Sequence, residues 1–554
     1  MALVVAVEKH YTNARWTRSE IALFIGCLLV ASLVRYPELG HHFSSDELWI
    51  LAGANGRAEE RFIEWDAGVW IPVAKSPINL ENSRSFSCIW TEGVAMHPPL
   101  YSISLRVWRE LFGGSRWIAS SYGALCSLVG IAFVFSALRI QAGARLATAV
   151  CLILSLSIVQ AHLATDIRGY ALLSMLIACA AWQMVRIEAF GGGVAKSWCL
   201  GLMTLLMMMT HYFSVGICFA LCVWAWFQLK GKLRVHFFLA VVISAGIFLV
   251  TWGPILLGQI KFAESTKGLA GFLDRDLPVW KSVFPMAMDL PIRIFGYPAN
   301  RMVTVAMGAL LFFVVVIGMR RVPSVRIWGL LYLLGIGAVL LIDLARETQH
   351  VAFMRYGSLV SVAVPSAAML AVHGMWGKWI WPMVGAVLVC LVLQVKEPRD
   401  VGSVHFHHAT SQLTPILSEY PSHYPLAACT IGRSWTGSQA GAAMVEFSCL
   451  PGFLPRASMI DLEEWSKKPG RSRDTAGRFW LMTLGRLRTL TKENIVRELP
   501  VAIRRKFPKV VAVKGPWKIA ASGWGISPRP AAKLWLLEVP RREASNPSDL
   551  DSEN

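Results

Sequence analysis

Apolar segments recur along the first 396 residues of this chain, at about 21–36, 117–138, 146–163, 170–187, 197–209, 212–228, 236–257, 302–319, 327–343, 356–374 and 378–395. Runs of this length with so few charges are the signature of bilayer-spanning helices. A backbone in hydrocarbon must satisfy its own hydrogen bonds, so the pattern confines the chain to a helical bundle of about eleven spans. The composition agrees, since only 16% of residues are charged where a soluble chain carries roughly a quarter. The formal charge of +19 is scattered, with no basic tract dense enough to bind nucleic acid, and reads as membrane electrostatics.

The first segment follows Lys9, Arg15 and Arg18, as a signal peptide would. Arg35-Tyr36-Pro37 stands where small cleavage-site residues belong, so a retained helix is expected, with Arg18 and Arg35 snorkelling to the interfaces. The run 197–228 is too long for one helix. Its break, Thr210-His211-Tyr212, predicts a tight turn between two short spans.

Orientation follows from basic residues in the short connections. With the N-terminus inside, the inner connections 139–145, 186–196, 230–234, 320–326 and 374–378 all carry Lys or Arg, and most carry several. The short outer connections carry Arg168, none around His211, and Arg346 with Arg355. This predicts a cytoplasmic N-terminus and an extracytoplasmic C-terminal region. Counting 97–112 as a crossing would invert this asymmetry; its amphipathic pattern, with Pro98-Pro99 at the start, predicts an outer interfacial helix. The stretch 259–301, interrupted by four prolines, reads as a second outer loop.

After Lys396 the hydropathy falls for good. Strand-like runs at 479–484, 510–514 and 533–539 alternate with helix-like stretches at 490–498 and 501–507. They predict a small extracytoplasmic α/β domain over 397–554, with a disordered acidic end from about Arg541. The membrane domain is then 1–396, with an outer loop over 37–116. Eight of eleven cysteines fall in apolar runs and act as small hydrophobes. Cys429 and Cys449 lie in the tail and could pair in an oxidising compartment.

Few polar groups stand where chemistry could use them. Asp46 and Glu47 begin the long polar loop just beyond the first segment, flanked by His41, His42 and Phe43. A solvated acidic pair is the bland alternative. At a membrane surface, one such carboxylate can serve as a general base while its neighbour orients the acceptor. Arg168, near Asp166, and Arg355, before Tyr356, are sparse outer arginines. Either could simply snorkel, but two guanidinium groups at an interface can also grip a phosphate through forked hydrogen bonds. Arg346 and Arg116 compete for that task. His211 reads as an interfacial hydrogen-bonding residue, and His405, His407 and His408 as a solvated loop rather than a metal site.

These residues fall into ordered motifs: the Asp46-Glu47 pair; His97-Pro98-Pro99-Leu100-Tyr101; Asp166-Ile167-Arg168-Gly169-Tyr170; Thr210-His211-Tyr212-Phe213; and Arg355-Tyr356 through Pro365. Each is weak alone, but five in order are specific. Over about residues 20–395 the chain resembles the GT-C membrane glycosyltransferases, most of all the bacterial branch related to protein O-mannosyltransferases and the lipid A aminoarabinose transferase.

The resemblance implies an inverting, metal-independent transfer of sugar from a polyprenyl-phosphate donor on the periplasmic face of the inner membrane, to a glycolipid, glycan or protein acceptor, with no cofactor. It implies Asp46 as base, Glu47 as its partner, and Arg168 and Arg355 on the donor phosphate. His97, Tyr101, Asp166, Tyr170, His211 and Tyr356 would shape the substrate site. In one place the chain departs from the pattern. Ser120 stands where the family has an arginine, with Arg116 one helical turn earlier, so Arg116 is a third candidate for the phosphate.

Two other classes compete. A lipid-linked-sugar transporter would place ionisable groups near the midplane on broken helices in two similar halves, and no halves match here. A polysaccharide polymerase or ligase would depend on the outer arginines and be indifferent to Asp46.

Overall fold

The structure is a computed structural model. It describes residues 15–40, 45–57, 63–64, 69–70, 78–91, 97–265, 279–293, 295, 301–346, 348, 350–352, 354–396, 426–431, 459–461, 477–485, 511–519 and 531–539. Contacts divide the chain into two compact units. One comprises Met1–Gly40 and Gly93–Val401, the other His41–Glu92 and Gly402–Asn554. The 41–92 segment therefore clusters with the C-terminal residues, a different division from the boundary near residue 396 drawn on hydropathy.

The first unit is helical: α1 (Arg18–Arg35), α4 (Leu100–Phe112), α5 (Arg116–Ala142), α6 (Ala144–Leu156), α7 (Ile158–Thr165), α8 (Tyr170–Phe190), α9 (Val194–Met208), α10 (Val215–Gln228), α11 (Gly231–Ser265), α12 (Val279–Arg293), α13 (Arg301–Arg321), α14 (Val325–Arg346), α15 (Ala363–Trp376) and α16 (Ile380–Lys396). Among the described residues six helices are long and apolar enough to cross a membrane, or seven if the bent pair α6–α7 is one span. The bundle is a multi-pass membrane protein by length and composition. Its outward faces are apolar, as lipid contact requires: Val235, Val242, Val250 and Leu257 along α11 and Met302, Leu310, Phe313 and Ile317 along α13 are all exposed.

Each apolar segment of the sequence corresponds to a helix or a bent pair, with four departures. The 146–163 segment bends by 66° between α6 and α7, around Ser157, whose side chain caps α7 by accepting from the Gln160 amide. Arg35 does not snorkel. It is 2% exposed and turns inward to that bend, donating to the Ser127 hydroxyl at 3.1 Å and to the Ala31, Ser155 and Leu154 carbonyls at 3.0, 3.4 and 3.5 Å. The last carbonyls of a broken helix need donors in hydrocarbon, and a cation suits that end of the dipole.

The stretch read as a loop broken by prolines is in part helical, because α11 runs on to Ser265 and α12 forms despite Pro285 and Pro291. A helix can spare the amide a proline lacks when its apolar face is well packed, and Val283, Met286, Ala287 and Leu290 are buried. Finally, α4 forms where an interfacial helix was expected, but it buries Arg106 and Arg109 and exposes Val107, Leu111 and Phe112. Arg106 pairs with Glu110 at 2.7 Å.

The second unit holds α2 (Ser45–Ala54), α3 (Phe86–Thr91) and one sheet of β1 (Ile63–Glu64), β2 (Val69–Trp70), β3 (Leu426–Ile431), β4 (Met459–Asp461), β5 (Gly477–Gly485), β6 (Val511–Ile519) and β7 (Ala531–Val539). The strand order is β1-β2-β4-β3-β5-β7-β6, with β3 parallel to β4 and β5, and β7 antiparallel to β5 and β6. The three strand-like tail runs are thus strands. The helix-like stretches, the acidic end, the histidines at 405–408 and Cys449 lie outside the described residues.

Candidate active site

The break in the 197–228 run is the anchor. α9 ends at Met208, and His211 opens the turn Tyr212–Ser214 with its Nδ1 accepting from the Phe213 amide at 3.2 Å. The start of α4 is tied to the same turn, the Leu100 amide donating to the Met209 carbonyl at 3.0 Å. The stretch between α7 and α8 packs in from another side. A Cβ on Gly169 would lie 3.3 Å from the Thr210 methyl and 3.5 Å from the Tyr101 Cβ, so glycine permits the close approach. A fourth element, the short helical turn Met354–Leu359, is held to α8 by Ser174 donating to the Ser358 carbonyl at 3.0 Å.

These four helix ends bring together residues far apart in sequence. Ring centroids of His97 and His211 are 4.5 Å apart, those of Tyr170 and His211 5.5 Å, and those of His211 and Tyr356 6.0 Å. The Tyr170 and Tyr356 rings meet edge to face at 6.3 Å. Arg168 lies 5.9 Å from the Tyr170 ring and Arg355 5.4 Å from the Tyr356 ring, so both guanidinium groups occupy one aromatic patch. Asp166 faces Arg168 at 3.6 Å. Tyr101 is buried, its ring 5.7 Å from Tyr122.

The patch is strongly cationic. Burial, then Arg355, lowers Arg168 to about 10, which leaves it charged at neutral pH. Burial also works against the Arg355 charge, but Tyr356, Tyr170 and Asp166 outweigh it and its value is raised. His211 is held well below the usual imidazole range by burial first and then by His97, Arg355, His350 and Arg168. His97 is lowered to about 4 by burial and by Arg355. Both imidazoles are therefore neutral at pH 7. His211 Nε2 and His97 Nδ1 are buried without a hydrogen-bond partner among the described residues. Polar atoms left unmatched beside two cations are what an anionic ligand would satisfy. A small cavity of about 30 Å³, its wall mostly apolar but touched by Tyr170, Gln160, Ser174, Ser358 and Arg35, adjoins the patch and has room for one or two waters.

The sequence candidates Arg168, Arg355, His97, Asp166, Tyr170, His211 and Tyr356 thus share one patch. Arg116 is half-buried at the first residue of α5, and Arg346 is exposed at the end of α14. Asp46 and Glu47 belong to the second unit. They sit in the first turn of α2 rather than in an open loop, with the Glu47 carboxylate buried. Among the described residues no three of His, Cys, Asp and Glu gather as a metal site requires.

Sequence reasoning missed His350 and Asp343. Asp343 is wholly buried and accepts from the Thr348 hydroxyl at 2.7 Å and from the His350 and Val351 amides at 2.8 and 2.9 Å. His350 Nδ1 is 2.7 Å from the same carboxylate, and its ring packs 5.2 Å from Tyr356 and 4.9 Å from Phe213. The available signal was an acid inside an apolar segment, costly unless it has a task.

Fold and site define a helical membrane protein with a cationic, aromatic-lined patch at the ends of its helices. No family model matches the chain, and no curated protein matches it. Among solved structures it is similar to ArnT from Cupriavidus metallidurans in the apo state, at 14% identity and TM-score 0.39 over 93% of this chain and 98% of that one. It is also similar to the oligosaccharyltransferase AglB from Archaeoglobus fulgidus in complex with an inhibitory peptide and a dolichol-phosphate, at 10% identity and TM-score 0.39 over 93% and 75%. A third is the arabinofuranosyltransferase AftD from Mycobacteria, at 12% identity and TM-score 0.39 over 96% and 42%.

Proposed function

We propose that this chain is an inverting GT-C glycosyltransferase. In this reading about eleven helices cross the inner membrane, the N-terminus is cytoplasmic, and the α/β region beyond residue 396 lies in the periplasm. A sugar passes from a polyprenyl-phosphate donor to an acceptor on the periplasmic face. The observation that carries the reading is the meeting of Arg168 and Arg355 among His97, His211, Tyr170 and Tyr356. A phosphodiester at the headgroup level needs two forked donors, neutral hydrogen-bonding rings and a low-dielectric wall, and the patch has all three.

In the reaction, the bond between the sugar's anomeric carbon and the phosphate oxygen breaks, and its electron pair leaves with the lipid phosphate. The acceptor hydroxyl attacks from the opposite face and gives its proton to Asp46, with Glu47 orienting the acceptor. Arg168 and Arg355 take up the charge that grows on the phosphate. Arg116 is held in reserve as a third phosphate contact. No metal or cofactor enters the scheme, and chelator treatment is expected to leave the rate unchanged.

Mass spectrometry of envelope glycolipids and glycoproteins from a deletion strain tests the proposal. One sugar substituent is expected to vanish, to return with the wild-type chain, and to stay absent with Asp46→Asn present at normal level in the membrane. Full restoration by Asp46→Asn removes that residue from the mechanism. Movement of labelled lipid-linked sugar across proteoliposomes without transfer to any acceptor replaces the enzyme reading with transport.

A further inference from the structure

The Asp343–His350 pair is built like a proton-handling unit, and the transfer scheme above makes no use of it. The Asp343 carboxylate is saturated by donors: the Thr348 hydroxyl, the His350 and Val351 amides and His350 Nδ1 all fall within 2.7–2.9 Å of it. Facing a carboxylate, Nδ1 carries the proton in either charge state of the ring. That fixes Nε2 as the nitrogen free to gain or give one. His350 is, with His97, one of the two partly exposed imidazoles of the patch. Its side chain is 25% exposed, whereas His211 is 3% exposed.

The surroundings put His350 beside the residues proposed to hold the phosphate. Arg355 and Tyr356 come from the neighbouring turn, with Tyr356 against the His350 ring. His211 and Phe213 come from the α9–α10 turn. Beneath, on α12, the Asp289–Arg293 pair, 2.8 Å apart, braces the turn, with Arg293 donating to the Val351 carbonyl at 3.0 Å. The Thr348 hydroxyl lies 3.0 Å from Nδ1.

We propose that His350 donates from Nε2 to the phosphate oxygen that leaves with the polyprenyl chain, and that Asp343 is its positioning residue. The inference rests on the donor being a polyprenyl phosphodiester. As the anomeric C–O bond breaks, the electron pair collects on that oxygen and the Nε2 proton moves to it. The neutral ring then regains a proton from solvent, while the acceptor's proton goes separately to the base. A histidine held by a carboxylate on one nitrogen and facing the reacting atoms with the other is a competent acid for this step.

Binding of undecaprenyl methyl phosphate by the full chain in detergent micelles separates the possibilities. This diester is a monoanion with no second ionisation between pH 5 and 9, so any pH dependence of its affinity belongs to the protein. The wild-type chain is expected to lose about tenfold in affinity with rising pH as the charge-assisted hydrogen bond from Nε2 to the phosphate is lost. His350→Gln is expected to bind with no such limb, and Asp343→Asn, which frees the ring to turn, to bind with a smaller one. Arg355→Gln is expected to weaken binding at every pH. A limb that survives in His350→Gln overturns the assignment, as does a wild-type affinity that is flat with pH. Absence of any binding by the wild-type chain strikes the polyprenyl-phosphate reading itself, a result distinct from either. Should Asp343→Asn fail to fold, the partly exposed His350→Gln decides alone.

Discussion

His97 and His211 face one another with ring centroids 4.5 Å apart and planes inclined by 30°, so the two rings cannot both take a proton without repelling each other. Arg355 adds to the field on both. The contact joins the stretch before α4 to the α9–α10 turn, and charging both rings would set them against each other.

That gives the protein an acid-sensitive joint. The folded values of both histidines are depressed, whereas in the unfolded chain each binds a proton below about 6.5. Between that value and the folded one, about 4 for His97, the unfolded state holds more protons. Stability therefore rises with pH across the window, and acidification loses it. The unfolding temperature in detergent is expected to fall steadily from pH 7 to pH 5. The double variant His97→Gln/His211→Gln is expected to show a shallower slope. Equal slopes for the two chains would mean that the histidines are already charged in the fold.

Arg168 and Arg355 make a second prediction. Each charge-assisted hydrogen bond to a phosphate contributes about 1.5–3 kcal/mol, so Arg168→Gln and Arg355→Gln should each weaken undecaprenyl phosphate binding by roughly 10- to 100-fold. Lysine is expected to restore only part of this, because it cannot make the planar fork. Arg116→Gln measured alongside decides whether the third candidate belongs to the site. If it weakens binding as much as the other two, the phosphate is shared among three arginines.

The bundle was legible in the sequence because hydropathy marks helices directly. The grouping of His97, Arg168, His211 and Arg355 was legible because all four stand at breaks between apolar segments, where sparse polar residues share one side of the membrane. The Asp343–His350 pair was not, since its partners lie on a turn whose path depends on how α12 and α14 pack. Arg35 was misread for a related reason. Snorkelling is the default for an arginine at a helix end, and nothing local announces that α6 will break opposite it and offer bare carbonyls. The clustering of 41–92 with the C-terminal strands was also hidden, because β2 meets β4 across hundreds of residues, Val69 opposite Ile460.

Arg35→Met tests the role of that break. The substitution keeps the apolar stem and removes the guanidinium donors to the Leu154 and Ser155 carbonyls. The expected cost is on the order of 2–3 kcal/mol, the penalty for leaving buried acceptors unmatched. It should appear as a lower unfolding temperature and faster proteolysis between α6 and α7. Arg35→Lys, which can still reach one carbonyl, should lie between the two. A wild-type unfolding temperature for Arg35→Met would mean that the bend satisfies its carbonyls in another way.

Gly123 tests whether helix packing sets the site. A Cβ built there would lie 2.4 Å from the Ala164 carbonyl oxygen, closer than any real contact, so α5 and α7 touch only because this residue lacks a side chain. Ala164 stands just before Asp166 and Arg168, and pushing α7 outward moves both relative to Arg355. Gly123→Ala should cost about 1–3 kcal/mol through overpacking. It should also weaken undecaprenyl phosphate binding several-fold, although the position lies within the bundle and touches no part of the patch. Gly113→Ala is the comparison, since a Cβ there meets nothing within 4 Å, although its φ of 117° carries backbone strain of its own. If Gly123→Ala lowers stability as expected yet leaves binding intact, α7 adjusts without carrying Arg168 along, and the patch is held by the α9–α10 turn rather than by the helices beneath it.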